Sequence, residues 1–388
     1  MMTNPLSWEN WSEVYLNKKH NKRASLERWG LRNLHSVEAL DHIVSEVKKK
    51  YLHNNPHIKV TANSVWVDGT PQAKFTVSNY KRVYGSLSAI SGNATQPNIR
   101  SSKDEVLNCE LADLLFIFNE FNNQNGFKRV RAVLLQGKCA DKNNVLPDGP
   151  STEKERKLFE LVNRKKELTL YPGTKVSGDP IGSYTLGGNV SGLADCAKYL
   201  MMPKHDKWNY KAPVNTDPYV IGWPENLTSK SLGETSNYLD AVIHEMLQSQ
   251  TMGKEVKFDN GAIDRTCEWS AMIEDLLTCY HAVTMKGYNC QRRFYRSSED
   301  IPDHIEGLLF MANNNFSNKS FRIDYDNYVQ FLECKYRVKY GIKYKKIIAN
   351  KIKDAIERYI DYSFLEEGPI ISTIMVNVNY REDEFMRD

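Results

Sequence analysis

The chain lacks any long apolar run. No stretch approaches the ~18 uninterrupted apolar residues of a membrane span, so no transmembrane helix is expected. The opening MMTNPLSWENWSEVY lacks the apolar segment of a secretory leader. No CxxC pair occurs among the seven cysteines (109, 139, 196, 267, 279, 290 and 334). Their odd number and scatter argue against a disulfide framework or a zinc site, and with the missing leader they make the reducing cytoplasm the expected compartment. No GxxxxGK[ST] phosphate loop is present, which excludes an ordinary ATPase. Internal repeats and low-complexity tracts are also missing. The charge imbalance is small, with 52 Lys and Arg against 48 Asp and Glu. A net charge of +4 permits an anionic partner without demanding one. Aromatic residues are plentiful, with 21 Tyr, 14 Phe and 7 Trp, so a packed core is expected and disorder is not. A length of 388 residues predicts about two domains.

Ser36–Tyr51 places Val37, Leu40, Ile43, Val44 and Val47 at helical spacing, with Ser36 as N-cap and lysines near the end. Short β-like runs follow at Ile58–Val67 and Ala73–Val77, and the Asp68-Gly69 turn between them predicts a hairpin. Residues 85–105 are rich in Gly, Ser, Asn and Pro and read as a loop. Glu110–Phe118 and Val130–Gln136 are nearly continuous apolar runs, the pattern of central strands covered on both faces. Thr152–Lys165 reads as a helix, with Thr152 and Glu155 at capping-box spacing. Glu167–Tyr171 alternates as a strand and stops at Pro172-Gly173. With the two short runs of the hairpin counted as one unit, the α–β–β–β–α–β order predicts an α/β fold, α+β over the whole chain, with a parallel-leaning sheet and helices on its faces.

The remainder opens with glycine-rich loops. Helices are expected at Ser236–Ser249, Thr266–Met285, Asn327–Val338 and Tyr344–Tyr362, and a strand within 369–380. Two domains follow from this pattern: 1–178, and a mostly helical 179–388 serving substrate binding, dimerisation or partner docking.

Chemistry concentrates where polar residues interrupt the apolar strands. Asp113 lies near the start of one, and Gln136 and Lys138 lie at the end of the next. Positions two apart on an extended strand point to one face. Burying Asp and Lys without partners is expensive, so their placement suggests a site where a cation and an anion meet. Mg²⁺ prefers hard oxygen ligands. Asp113 would be its main carboxylate, with the Gln136 side-chain oxygen and the Gly137 carbonyl as neutral donors. Lys138 would orient or acidify an attacking water and stabilise developing negative charge.

Asp113 with Gln136-Gly137-Lys138, on strands in this succession, resembles the core of the PD-(D/E)XK, or restriction-endonuclease-like, superfamily. More narrowly, Thr70-Pro71-Gln72, the segment Cys109 to Phe116 and the segment Arg131 to Lys138 resemble a group of uncharacterised prokaryotic proteins. The close match covers about 70–140, and the core topology extends it to about 36–171. The resemblance implies Mg²⁺- or Mn²⁺-dependent cleavage of nucleic acid, usually double-stranded DNA. It also makes a role in restriction or phage defence an expectation. Many enzymes of this class act as symmetric dimers, so a homodimer or a regulatory partner protein is expected. The family often adds a carboxylate from its first helix, for which Glu46 and Glu38 are the candidates. Glu110, three residues before Asp113, would join only if the strand start is irregular. One departure stands out: Gln136 occupies the place of the usual acid, which keeps an oxygen and loses a charge.

Plainer readings compete. An Asp and a Lys at strand ends also make an ordinary salt bridge, and a catalytically inactive scaffold or nucleic-acid-binding subunit keeps the same fold. His244-Glu245 imitates a zinc-protease motif, but position 248 is Gln where a second His is needed. In 335–353, Lys335, Arg337, Lys339, Lys343, Lys345 and Lys346 interleave with Tyr336, Tyr340 and Tyr344. Such a pattern suits phosphates and stacked bases, and it equally suits a solvated helix face. Cys139 reads as a small buried residue, and Trp223 and Trp269 read as core residues.

Overall fold

The computed structural model describes residues 6–12, 26–52, 58–67, 71–77, 104–122, 127–142, 144–172, 175–190, 192–204, 218–225, 229–259, 261–279, 293–297 and 369–380. The expected helices at 327–338 and 344–362, with the six basic residues from Lys335 to Lys346, lie outside the described residues. The helices are α1 (Trp8–Asn10), α2 (Leu26–Leu34), α3 (Val37–Leu52), α4 (Pro150–Leu161), α5 (Tyr238–Asp240) and α6 (Glu268–Thr278). The strands that build the frame are β1 (Ile58–Val67), β2 (Gln72–Val77), β3 (Glu105–Glu110), β4 (Leu114–Asn122), β5 (Phe127–Ala140), β6 (Leu168–Tyr171), β7 (Gly182–Tyr184) and β8 (Ala197–Pro203). They continue with β9 (Val220–Pro224), β10 (Leu232–Asn237), β11 (Lys254–Val256), β12 (Phe258–Asp259), β13 (Ala262–Ile263), β14 (Arg293–Ser297) and β15 (Thr373–Tyr380).

Among the described residues, a nine-stranded sheet runs in the order β10-β9-β8-β5-β4-β15-β1-β14, with β11 also on β5. A second, antiparallel sheet has the order β3-β2-β6-β7. The mixed α and β content agrees with the sequence. The large sheet, however, is mixed: β4–β15 and β5–β8 are parallel and the other pairs are antiparallel. The tight β4–β5 connection, closing on Asn122 opposite Phe127, forces one antiparallel pair at the centre.

Period-two alternation decides what each face of this sheet touches. Leu114, Phe116 and Phe118 of β4, Val133 and Leu135 of β5, and Ile374, Val376 and Val378 of β15 join one apolar cluster. Leu31 and Leu34 of α2 and Ala39, Leu40, Ile43 and Val47 of α3 complete it. The alternate residues Leu115, Ile117, Val130, Ala132, Leu134 and Met375 join the other cluster, under the second sheet, α4 and α6. Trp269 is buried in that second cluster and Trp223 packs against it.

Several local expectations change. No β1–β2 hairpin forms, because β1 pairs with β14 and β15 while β2 pairs with β3 and β6 in the other sheet. The expected strand 110–118 is two strands. The chain leaves the second sheet after Glu110 and enters the large one at Leu114, bending at Asp113. β5 runs on to Ala140, so Gln136 and Lys138 lie within a strand and not at its end. Ser36 does cap α3, accepting the Ala39 N–H on its Oγ at 3.1 Å. The capping box on Thr152 and Glu155 is absent. Gly149 is the N-cap of α4 and Pro150 opens it, a position where the missing N–H goes unmissed. The expected helix 236–249 is α5 followed by a π-helical segment, Ala241–Gln248, in which the Ser249 N–H reaches back to the His244 carbonyl.

The strand expected near the C-terminus is present, and its place is the finding. β15 lies between β4 and β1 at the centre of the sheet. β8, β9 and β10 extend the same sheet from β5. Strands from both sides of 178/179 therefore share one sheet, and the described part of 179–388 adds strands as well as helices.

Candidate active site

The site forms where the chain passes from one sheet to the other. The Leu111 N–H donates to the Pro71 carbonyl at 2.9 Å, the Asp113 N–H to the Leu135 carbonyl at 3.1 Å, and the Leu115 N–H to the Ser372 carbonyl at 2.8 Å. Three segments thus hold the crossing, with Pro71-Gln72 beside it. The Asp113 carboxylate turns toward β5. Its Oδ2 accepts the Gly137 N–H at 2.8 Å and a close hydrogen bond from the Gln136 side-chain Nε2. Asp113, Gln136 and Gly137 therefore meet. Gly137 was expected to offer its carbonyl, and what the structure shows is its N–H on Asp113.

Gln136 and Lys138 share a face, as their spacing requires. That face looks toward α4. Lys138, 6% exposed, places its Nζ 2.8 Å from Glu155 Oε2 and 3.8 Å from Glu27 Oε1. Glu155 is itself buried and accepts the Ser151 hydroxyl on Oε1 at 2.7 Å. Glu27 Oε2 accepts the Cys139 N–H at 3.1 Å.

Two site carboxylates thus escaped the sequence reading. Glu155 carries no capping role and is the partner of Lys138. Glu27, on α2, is the helical acid at the site, where Glu46 and Glu38 of α3 were expected. Glu46 pairs with Lys49 at 2.6 Å within its own helix, and Glu38 is exposed. The physical reason is which helix crosses β5. α2 packs on β5, whereas α3 packs on β1. Two glycines allow the close approach. A Cβ at Gly137 would lie 3.0 Å from Met202 Cε and 3.1 Å from Leu31, and one at Gly30 would strike Met202 and Trp11. The Leu31–Leu34 spacing after Glu27 was the available signal, weakened by the intervening glycine.

The irregularity required for Glu110 is present, since β3 ends at it and the chain bends before β4. Its side chain is exposed, yet the protein around its carboxyl, and then the Glu155 charge, raise its pKa.

The charges explain one another. Burial pushes the Asp113 carboxyl well above its usual range. Lys138 opposes that shift, and Glu27, Glu110 and Glu155 reinforce it. Burial disfavours the Lys138 ammonium, but Glu27, Asp113 and Glu155 outweigh it and hold its pKa above the ordinary lysine value. Glu27 is raised by burial against the pull of Lys138.

The donor set fits a hard divalent cation. The Gln136 Oε1 is buried and has no hydrogen-bond partner. Both Asp113 hydrogen bonds fall on Oδ2, leaving Oδ1 outside them. Among the described residues no three His, Cys, Asp or Glu side chains gather at ligand spacing, so the oxygens here are a carboxylate and an amide.

His244 is exposed on the π-helical segment, and Glu245 accepts the Ser236 hydroxyl. Cys139 is partly buried, and burial, then Glu27, push its thiol far above the range of a nucleophile. No described helix is long and apolar enough to cross a membrane.

No protein-family model matches the chain, and no curated protein or solved structure shows significant similarity to it.

Proposed function

We propose that the chain is a Mg²⁺- or Mn²⁺-dependent nuclease that hydrolyses phosphodiester bonds in DNA. The supporting observation is the contact of Asp113 with Gln136 at a sheet crossing, within the electrostatic reach of Lys138, with the Gln136 Oε1 buried and unpartnered. Asp113 and the Gln136 oxygen would hold the cation, with Glu27 and Glu110 close enough to act on Asp113 electrostatically. The bound metal would supply Lewis acidity and a template for the phosphoryl group. Lys138, whose ammonium Glu27, Asp113 and Glu155 favour over its burial, would neutralise charge developing at phosphorus and orient water. Glu155, anchored by Ser151, fixes where that ammonium sits. Restriction or phage defence is the setting the resemblance suggests.

The second reading is a non-catalytic scaffold or nucleic-acid-binding subunit of the same fold. It is favoured by Asp113 Oδ2 already carrying two hydrogen bonds from its own chain.

Plasmid cleavage with Mg²⁺ or Mn²⁺ separates the two. The wild type is expected to nick metal-dependently, and Asp113→Ala and Lys138→Ala are each expected to lower the rate about 10²-fold or more, the scale of losing one transition-state electrostatic contact. Cleavage unchanged in both variants removes this site from the reaction. No cleavage by a folded wild type favours the scaffold.

A further inference from the structure

We propose that the Gln136 amide is a built-in stand-in for the cation: its NH₂ holds Asp113 in the metal-free protein, and the amide turns over to present Oε1 when metal enters. The inference rests on the metal-site reading of Asp113. In the structure the group facing Asp113 Oδ2 is the amide nitrogen, which donates to it. The amide oxygen then points away and is left buried without a partner, on a residue that is 1% exposed. Such orphaned acceptors are uncommon in folded proteins and call for an explanation. Rotation about the terminal torsion of Gln exchanges oxygen for nitrogen with almost no change of volume, and that torsion is soft.

Charge explains why an amide suits this place. The strongest charges acting on Asp113 are one ammonium, Lys138, and three carboxylates, Glu27, Glu110 and Glu155. A glutamate at 136 would add another negative charge against Asp113 whenever the metal is absent. The amide offers the positive end of its dipole instead. It holds the empty site together at the expense of metal affinity, which rises with the number of charged ligands.

Thermal unfolding in chelator and in Mn²⁺, with Mn²⁺ titration by calorimetry, tests this on the full chain. The wild type is expected to gain a saturable rise in Tm with Mn²⁺. Gln136→Glu is expected to melt several degrees lower in chelator, and to bind Mn²⁺ about tenfold tighter because one ligand has gained a charge. Asp113→Asn is expected to lose the Mn²⁺ response while keeping its metal-free Tm. The exchanged pair Asp113→Asn with Gln136→Glu restores one amide facing one carboxylate, and is expected to regain the wild-type Tm in chelator. That exchange still decides the matter if Gln136→Glu alone fails to fold. The proposal is overturned by a wild type with no metal response. It is equally overturned by a Gln136→Glu protein no less stable in chelator and no tighter for Mn²⁺, or by an exchanged pair that regains nothing. None of these readouts involves cleavage, so a protein that binds metal this way but leaves DNA intact would sink the nuclease and leave the stand-in.

Discussion

Lys138 carries a structural role beside the catalytic one proposed for it. Its ammonium is buried between Glu155 and Glu27. Removing it strands Glu155, whose carboxylate is almost fully buried. Lys138→Ala is therefore expected to cost about 3–5 kcal/mol, the usual penalty for breaking a buried pair. Adding Glu155→Gln should recover part of that loss, with about 1–3 kcal/mol of coupling in a double-mutant cycle by urea unfolding. Additive losses would show that the pair does not act as a unit. Any loss of cleavage in Lys138→Ala must be read beside this measurement. A second, partly buried pair carries a pH signature. Asp195 accepts Arg164 Nη1 at 2.5 Å and lies 3.2 Å from Lys254 Nζ. Burial alone would raise its pKa, but Arg164 and Lys254 outweigh it and hold the carboxyl below its ordinary 3.8. A depressed folded pKa means stability that is present above the unfolded value and lost as pH falls through the folded one. Asp195→Asn should therefore lower stability at pH 7 by about 1.5–3 kcal/mol, the range for a hydrogen bond to a charged group. The gap to wild type should narrow as pH drops below about 4, near the ordinary Asp pKa. A gap independent of pH would assign the loss to packing.

At the scale of elements, the site depends on how closely α2 lies on β5. Gly137 permits the approach, since a Cβ there would press on the side-chain ends of Met202 and Leu31 at 3.0–3.2 Å. Those ends can give way, so Gly137→Ala is expected to cost about 1–3 kcal/mol, as overpacking does, without abolishing folding. The displaced helix would carry Glu27 away from Cys139 and Lys138. Urea unfolding checks the first effect, and faster amide exchange at Cys139 the second; wild-type protection there would show that α2 had not moved. Gly137 of the Gln-Gly-Lys run was read from the sequence only as a carbonyl donor. Its packing role was not, because Leu31 and Met202 are distant in sequence. The strand break before Asp113 was equally hidden, since the apolar run from Leu111 to Phe118 continues across it and periodicity alone cannot mark where a chain changes sheets.

For the whole molecule, the position of β15 governs. It is hydrogen-bonded on one side to β4 along Thr373–Asn379 and on the other to β1 along Thr373–Tyr380. Withdrawing it would bare two long inner strand edges and open both apolar clusters, which contain Ile374, Met375, Val376 and Val378. A fragment of residues 1–178, or a chain ending before 369, is therefore expected to show no cooperative thermal transition by circular dichroism. A cooperative transition in the 1–178 fragment would support the two-domain division. The boundary at 178/179 rests on Pro172, Gly173 and Gly178, because local breakers are visible in sequence. Long-range pairing between residues near 60, 115 and 375 is not.

What the sequence determined by itself was local: the α3 cap at Ser36, the apolar strands, and the two-residue spacing that puts Gln136 and Lys138 on one face. Those follow from backbone periodicity and capping chemistry, which act over a few residues. Tertiary structure decided which helix supplies the acid, that Glu155 faces Lys138, that the Gln136 amide turns its nitrogen to Asp113, and that β15 completes the centre of the sheet. Each of these is settled by packing and charge between segments far apart in the chain, where local pattern carries no information.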